Sequence, residues 1–174
     1  MTVDDPAEQE EFRRTIQKNN TLLLQLFSDI IDLSKIDAGS FEYMPKPVCL
    51  YQFCAMMVQK MRNKVPEGVE LQIDEDSPLD AWFSADSGYL NQVVTNFMSN
   101  AIKFTHRGTI TVGYRIDARQ QLEMFVEDTG IGISIENQEA VFDRFMKVDS
   151  FVQGTGLGLP LCKSIIEKMG GHIG

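Results

Sequence analysis

The chain has 174 residues, of which 43% are hydrophobic and 24% are charged, and its formal net charge is −9. This size and composition suit one soluble globular domain with an extra element. The acidic balance argues against nucleic acid or an anionic membrane as the main partner. Cys49, Cys54 and Cys162 form no CxxC pair, which predicts ordinary thiols in a reducing compartment. There is no apolar run of about 18 residues that could span a membrane.

The first segment is predicted to be one long helix that ends near Gly39. Its apolar residues recur in alternating steps of four and three, a heptad pattern typical of a helix that meets another helix. The pattern comprises Phe12, Ile16, Asn19, Leu23, Leu26, Ile30 and Leu33. The polar Asn19 can fix the register of pairing at some cost in stability. The simpler alternative is a helix packed against its own domain.

The rest of the chain predicts an α+β fold. MPKPV, residues 44–48, reads as an extended connection and a domain boundary, because its prolines restrict the backbone. Helical patterns follow at 50–61, at 86–104 with Asp86 as its cap, around 135–145, and from Gly158 to a stop at Gly170. Alternating patterns predict strands at 69–74, 109–116 and 121–128, the last two forming a hairpin. Long helices segregated from a mixed or antiparallel sheet predict a two-layer α/β sandwich, preceded by one long helix.

Three polar residues form a stripe on the predicted helix 86–104. Asn96, Asn100 and Lys103 are spaced i, i+4 and i+7, so they share one side of the helix. An amide oxygen is a suitable ligand for Mg²⁺, and a lysine supplies a point charge for phosphate. The alternative is a solvated helix face.

The stretch DTGIGI, residues 128–133, follows the last predicted strand. Asp128 continues the apolar face of that strand, which we expect helices to cover. A carboxylate there is costly unless something pairs with it, and the amino group of adenine is a suitable donor. Gly130 and Gly132 would let the backbone approach a ring and turn sharply. The alternative is an ordinary Asp-x-Gly turn.

A second glycine cluster, GTGLGL, occupies residues 154–159. It precedes a predicted helix, whose first N–H groups and dipole favour an anion. It does not follow a strand and no Lys-Ser/Thr follows it, so it is neither the dinucleotide fingerprint nor a P-loop. FDRF, residues 142–145, lies between the two glycine clusters and alone indicates core packing.

In this order NFMSNAIKFT, DTGIGI, FDRF and GTGLGL resemble the N, G1, F and G2 boxes of the sensor histidine kinases of two-component systems. NNTLLLQLFSDIIDLSKIDAG is similar to the second helix of their dimerisation and phosphoacceptor hairpin. The resemblance covers nearly the whole chain from about Asp4. It implies the Bergerat-type ATP-binding fold of the gyrase, chaperone, histidine kinase and mismatch-repair ATPase superfamily. Residues 1–44 would be the second hairpin helix, and residues 45–174 the catalytic ATP-binding domain.

The resemblance implies ATP and Mg²⁺ as cofactors and carries roles onto matching residues. Asp128 would bind the adenine amino group in a pocket shaped by Gly130, Gly132 and Ile133. Residues 134–153 would form the ATP lid, which Phe142 and Phe145 would anchor, so that Phe145 borders the nucleotide. The triphosphate would be wrapped by Gly154, Thr155, Gly156, Leu157 and Gly158.

The implied activity is transfer of the γ-phosphoryl group of ATP to a histidine on a dimerisation helix, for relay to a response-regulator receiver domain. Asn100 would be the Mg²⁺ ligand, and Asn96 and Lys103 would be the catalytic residues that touch the phosphates. Hydrolytic relatives place a glutamate one turn before the metal-binding asparagine. Asn96 stands there in this chain and cannot take up a proton at neutral pH, which favours transfer over hydrolysis. Positioning and charge neutralisation do most of the work in such transfer.

The resemblance also sets expectations about the parent protein. Its acceptor histidine would lie upstream of Met1 and its closing strands after GGHIG, so the chain is expected to bind ATP without phosphorylating itself. It would pair with a second copy through the N-terminal helix, reside in the cytoplasm and touch a membrane only through other parts of a sensor. Nucleic acid is not expected as a partner. The alternatives are a nucleotide-binding scaffold without transfer and a serine-directed kinase of the same fold.

Overall fold

The computed structural model describes residues 6–146 and 154–174. Its helices and strands are α1 Pro6–Asp37, β1 Lys46–Cys49, α2 Leu50–Met61, β2 Val69–Ile73, β3 Trp82–Ala85, α3 Ser87–Phe104, β4 Gly108–Ile116, β5 Leu122–Asp128 and α4 Gly158–Lys168. The chain forms two compact units, one of residues 42–138 and one of residues 1–41 with 139–174. The proposed division of the sequence at residue 44 stays a prediction.

Residues 42–138 form two layers. β2, β4 and β5 make a mixed sheet in that order, with β2 parallel to β4 and β5 antiparallel to β4. Helices α2 and α3 pack on the sheet and on each other. The buried stripe of α2, which contains the predicted Leu50, Phe53, Met57 and Met61, meets the apolar face of α3 in one core. The predicted sandwich and the predicted hairpin are both confirmed.

The register of β4 and β5 aligns their core-facing side chains. Val112 lies opposite Val126, and Tyr114 lies opposite Met124, and all four belong to the core or pack against it. Asp128 ends the same row opposite Ile110, which is fully buried. The prediction that Asp128 continues the apolar face is therefore confirmed.

A second, two-stranded sheet was not predicted. β1 and β3 pair antiparallel, and Lys46 lies opposite Ala85. The two prolines around β1 indicated only an extended segment, and Pro47 lies in a strand with one partner, where a missing N–H is tolerated. Trp82–Ala85 is too short to show a clear alternation in the sequence.

Asp86 caps α3, as predicted. Its Oδ1 accepts hydrogen bonds from the backbone N–H groups of Gly88 at 2.9 Å and Tyr89 at 3.3 Å. Its Oδ2 accepts one from the N–H of Met44 at 3.1 Å, which ties the start of α3 to the segment before β1.

We expect Asp86→Ala to lower the free energy of unfolding by about 1–2 kcal/mol, because three backbone donors lose their acceptor. Urea denaturation would measure the loss. Asp86→Asn keeps an acceptor oxygen for the helix and should recover most of the stability. Equal stability of the alanine variant and the wild type would contradict the capping role.

In the other unit, α1 packs against α4. The chain leaves α1 at Gly39, whose φ of +72° is a left-handed conformation that glycine adopts without strain, and the N–H of Ser40 donates to the carbonyl of Lys35. The predicted end of this helix is confirmed.

The heptad residues of α1 do not share one exposed face. Phe12, Ile16, Leu23 and Ile30 are 46–62% exposed. Leu26 is half-buried and Leu33 is only 5% exposed. The predicted helix–helix seam is therefore exposed only in part, because the pattern drifts around a helix of 3.6 residues per turn and Leu33 at its end turns inward.

The helix predicted around residues 135–145 is replaced by two single turns of 3₁₀ helix, Ile135–Asn137 and Ala140–Phe142. Ile135 is 86% exposed, so this stretch lacks the buried stripe that would stabilise a longer helix. Within residues 6–146 and 154–174, helices that combine the length and apolar character needed to cross a bilayer are absent.

Candidate functional site

The polar stripe of α3 is present as predicted. Asn96, Asn100 and Lys103 are each half-buried. Among the described residues, no protein donor occupies the side-chain oxygens of the two asparagines. The Lys103 ammonium lies 4.8 Å from the centre of the Phe104 ring. The stripe thus presents two amide oxygens and one cation at the border between core and solvent.

Asp128 lies at the end of β5 with one carboxylate oxygen engaged. Its Oδ1 accepts hydrogen bonds from the N–H of Gly130 at 2.9 Å and from the hydroxyl of Thr105 at 3.4 Å. Within the described part of the chain, Oδ2 has no protein donor. The carboxylate is therefore held in orientation through one oxygen, which leaves the other for a ligand.

The expected burial of Asp128 was wrong, because its side chain is exposed. Leu122, Met124 and Val126 on the same face are partly buried against the core. Asp128 touches the end of α3 through the hydroxyl of Thr105, and the carboxylate keeps its solvation. A ligand is therefore not needed to stabilise the fold here, although the position remains well suited to bind one.

The two positions after Asp128 that hold glycine favour it for different structural reasons. A Cβ on Gly130 would lie 2.5 Å from the carbonyl oxygen of Phe104 and 2.8 Å from Asp128 Oδ1, so only glycine fits against the end of α3. Gly132 has open space around it but a φ of +68°, which favours glycine on conformational grounds. Ile133 follows and is 45% exposed.

Thr105 is a site residue that the sequence analysis missed. It is fully buried, and its hydroxyl donates to Asp128. The preceding carbonyl, that of Phe104, accepts a hydrogen bond from the N–H of Ile131 at 3.3 Å. The end of α3 is thus attached to the loop after β5. The only available signal was its place directly after the predicted helix, which does not distinguish a positioning residue from a surface threonine.

The other predicted residues belong to the unit of α1 and α4. Gly156 has a φ of +69°, and a Cβ there would lie 3.0 Å from the backbone Cα and C atoms of Phe145. The N–H of Phe145 donates to the Gly156 carbonyl at 2.9 Å. Phe145 itself has a φ of +66°, which is unusual for a residue with a side chain. The FDRF segment and the second glycine cluster therefore meet backbone to backbone.

The glycine cluster leads into α4 as expected. Gly154, Thr155, Gly156 and Gly158 are half-buried and Leu157 is 1% exposed. The N–H of Leu157 donates to the Thr155 hydroxyl at 3.2 Å, and the N-cap residue Leu157 makes no side-chain capping hydrogen bond. An uncapped helix start favours an anion.

The predicted anchoring of the lid needs correction at Phe145. Its ring is 67% exposed, so the residue contributes through its backbone rather than by packing. Phe142 is half-buried, and the ammonium of Lys163 lies 5.9 Å from its ring centre. Residues 147–153 of the predicted lid lie outside the described residues.

A family model matches the part of the chain that carries the candidate site. Residues 85–174 match the model described as histidine kinase-, DNA gyrase B-, and HSP90-like ATPase, which covers α3, both strands of the hairpin and both glycine clusters. The chain belongs to this ATPase family. The fold expected from the resemblance is confirmed.

Individual members of the family agree with the match. The chain is 32% identical to two-component system protein A of Emericella nidulans over 96% of its own length and 26% of that protein. It is 36% identical to circadian input-output histidine kinase CikA of Synechococcus elongatus over 95% of its length and 23% of that protein. Full-length ShkA, solved in complex with AMPPNP, superposes on 94% of this chain and 34% of its own with a TM-score of 0.81 at 27% identity. The chain thus spans about a quarter of these curated relatives.

The residues of this ATPase domain are compatible with Mg²⁺ held together with phosphate. Groups of three or more His, Cys, Asp or Glu side chains that could hold a metal alone are absent from the described residues. Asn100 offers an amide oxygen to which no described residue donates, and Mg²⁺ typically takes one or two protein oxygens, water and substrate phosphates. The donor set fits a metal that arrives with a nucleotide.

Proposed function

We propose that this ATPase-family chain binds ATP, with Asp128 as the residue that recognises adenine. The observation that carries the proposal is the carboxylate held through Oδ1 by Gly130 and Thr105, while Oδ2 has no donor among residues 6–146 and 154–174. A carboxylate oxygen accepts the hydrogen bond that an exocyclic amino group donates, whereas the carbonyl of guanine would face it with a second acceptor. Gly130, Gly132 and Ile133 belong to the loop that follows Asp128 and would line the adenine pocket.

The phosphates and Mg²⁺ are assigned to the remaining residues. Asn100 would hold Mg²⁺ through its amide oxygen, and the ion would neutralise charge on the phosphates. Asn96 and Lys103 lie on the same stripe and would contact phosphate oxygens. The second glycine cluster and the start of α4 would surround the triphosphate with backbone N–H groups. Phe145 would border the nucleotide through its backbone.

The reaction we propose is transfer of the γ-phosphoryl group to a histidine on a dimerisation helix, followed by relay to the receiver domain of a response regulator. Asn96 supports transfer rather than hydrolysis, because an amide cannot act as a general base toward water. The names of the relatives support a two-component role. His106 and His172 are exposed and lie outside α1, so neither is proposed as the acceptor.

The test has two stages. Calorimetry should show micromolar to millimolar binding of Mg²⁺–AMPPNP and much weaker binding of the guanine analogue. A longer chain that carries the first hairpin helix, incubated with γ-labelled ATP, should then acquire acid-labile, alkali-stable label on a histidine of that helix. Release of labelled phosphate to water without labelled protein would contradict transfer, and absence of binding would contradict the ATP assignment.

We also propose that the exposed heptad residues of α1 pair with a second copy of the chain. Phe12, Ile16, Leu23 and Ile30 recur at the spacing of a helix–helix seam and are exposed. Exposed apolar strips of this kind favour association. We also propose that this part of the protein resides in the cytoplasm and touches a membrane only through other parts of a sensor.

Leu23→Glu should weaken self-association at least tenfold, because the carboxylate would be desolvated in the seam. Sedimentation equilibrium over a range of concentrations would measure it. Leu24→Glu is the matched control, since Leu24 is 69% exposed but points about 100° away from Leu23 around the helix. A strictly monomeric wild type, or equal effects of the two variants, would argue against the seam.

A further inference from the structure

Asp29 on α1 is the one buried carboxylate among the described residues, with 2% of its surface exposed. Its Oδ1 accepts a hydrogen bond from the side-chain amide of Gln25 at 2.7 Å. Its Oδ2 accepts one from the hydroxyl of Thr155 at 3.3 Å. Burial raises the pKa of Asp29, since the charged form loses solvation, and the two hydrogen bonds offset part of that cost. A carboxylate that is buried despite this loss of solvation is a candidate for a functional role.

Thr155 belongs to the second glycine cluster, and both capacities of its hydroxyl are in use. The oxygen accepts from the N–H of Leu157 at 3.2 Å, and the hydroxyl donates to Asp29. A hydroxyl has a single hydrogen to donate. The same hydrogen therefore cannot be given to a phosphate oxygen while it is given to Asp29.

Neighbouring contacts hold the same segment near α1. Arg144 donates two hydrogen bonds to the Asp37 carboxylate, at 2.9 and 3.0 Å. The N–H of the next residue, Phe145, donates to the Gly156 carbonyl. The ion pair is about half exposed, so on its own it contributes little. The Asp29–Thr155 hydrogen bond is part-buried and its acceptor carboxylate is only 2% exposed, so loss of this bond costs more free energy than loss of the exposed ion pair.

We propose that Asp29 is a positioning residue through which α1 restrains the glycine cluster, because its carboxylate competes with a phosphate group of ATP for the Thr155 hydroxyl. The proposal rests on the proposed function of that cluster as the triphosphate site. Carboxylate and phosphate are both anions that accept hydrogen bonds. They cannot both lie at the Thr155 hydroxyl, because their like charges repel each other. Binding of the triphosphate thus requires release of Thr155 from α1, and a change in α1 that withdraws Asp29 favours the nucleotide.

Removal of the carboxylate should therefore strengthen binding of phosphates but not of the nucleoside. By calorimetry, Asp29→Ala should bind Mg²⁺–AMPPNP about threefold to tenfold more tightly than the wild type, while adenosine affinity stays the same. Asp29→Asn keeps the volume, loses the charge and retains an acceptor oxygen, so a smaller increase is expected. Glu11→Gln removes an exposed carboxylate from the same helix and should change neither affinity.

A double-mutant cycle separates the specific contact from a general loss of charge. In a Thr155→Ala background the gain from Asp29→Ala should vanish, since the hydroxyl for which the anions compete is gone. An Asp29→Asn variant that is folded by circular dichroism and binds AMPPNP no more tightly than wild type would overturn the proposal, as would a gain that persists without Thr155. A wild type that binds adenosine and AMPPNP not at all would instead refute the proposed function, and with it this inference.

Discussion

Asp128→Asn should weaken ATP binding at least tenfold, which corresponds to about 1.4 kcal/mol. The amide has one acceptor oxygen where the carboxylate has two. If that oxygen stays with the N–H of Gly130 and the hydroxyl of Thr105, the NH₂ group takes the place of Oδ2 and meets the adenine amino group donor to donor. If the amide turns around, the N–H of Gly130 loses its acceptor instead. Either orientation costs a hydrogen bond and leaves a donor unpaired.

Glu127→Gln is the matched control for this experiment. Glu127 precedes Asp128 in β5, is also exposed, and points to the opposite face of the sheet. The same change of charge there should leave the affinity for ATP unaltered within about twofold, since the screened field of an exposed charge is weak. Calorimetry on both variants, with thermal melting to show that each is folded, would decide. Equal affinity of Asp128→Asn and wild type would refute the adenine assignment.

Gly156→Ala should reduce ATP affinity by roughly tenfold or more. Alanine at a φ of +69° carries about 1–2 kcal/mol of strain. Its Cβ would in addition lie 3.0 Å from the Cα and C atoms of Phe145, and backbone atoms cannot rotate away as a side chain can. Relief of the clash requires the glycine cluster to separate from Phe145, which would displace the N–H groups proposed to surround the phosphates.

Gly170→Ala provides the control for the conformational part of this effect. Gly170 has a φ of +80°, but a Cβ there would meet nothing within 4 Å. It lies just beyond α4, so its replacement should lower stability by about 1–2 kcal/mol without changing ATP affinity. Unfolding curves and calorimetry on both variants separate the two contributions. A loss of ATP affinity in Gly170→Ala equal to that in Gly156→Ala would show that the effect is one of general stability.

Local signals in the sequence were enough to predict most of the elements. The cap at Asp86, the stop at Gly39 and the alternation in β4 and β5 each depend on a few neighbouring residues, so the pattern contains the physical cause. The order of the elements and of the motifs also predicts the two-layer fold and the ATPase family, which the family match confirms. The stripe of Asn96, Asn100 and Lys103 followed from helical spacing alone.

The features that the sequence analysis missed or predicted wrongly depend on contacts between residues that are far apart in the chain. Thr105 orients Asp128 because the end of α3 meets the loop after β5, and no spacing in the chain indicates that meeting. Asp128 is exposed although the alternation of its strand is that of a covered face, since burial at the end of a strand depends on which elements pack over it. Phe145 contacts the glycine cluster through its backbone rather than through its ring, because the Gly156 backbone lies close to it and accepts its N–H.

The sequence by itself determined which faces are apolar, where helices start and stop, and which residue types are available for a nucleotide. Only the tertiary structure decided which apolar face is buried, as α1 illustrates. Its heptad pattern is continuous, yet Leu33 is buried while Ile16 is 62% exposed. It also decided that Asp29, one polar residue among many on that helix, is buried against Thr155. Periodicity defines a face relative to its own axis, whereas burial depends on the rotation and reach of the partner element, and those are set by long-range packing.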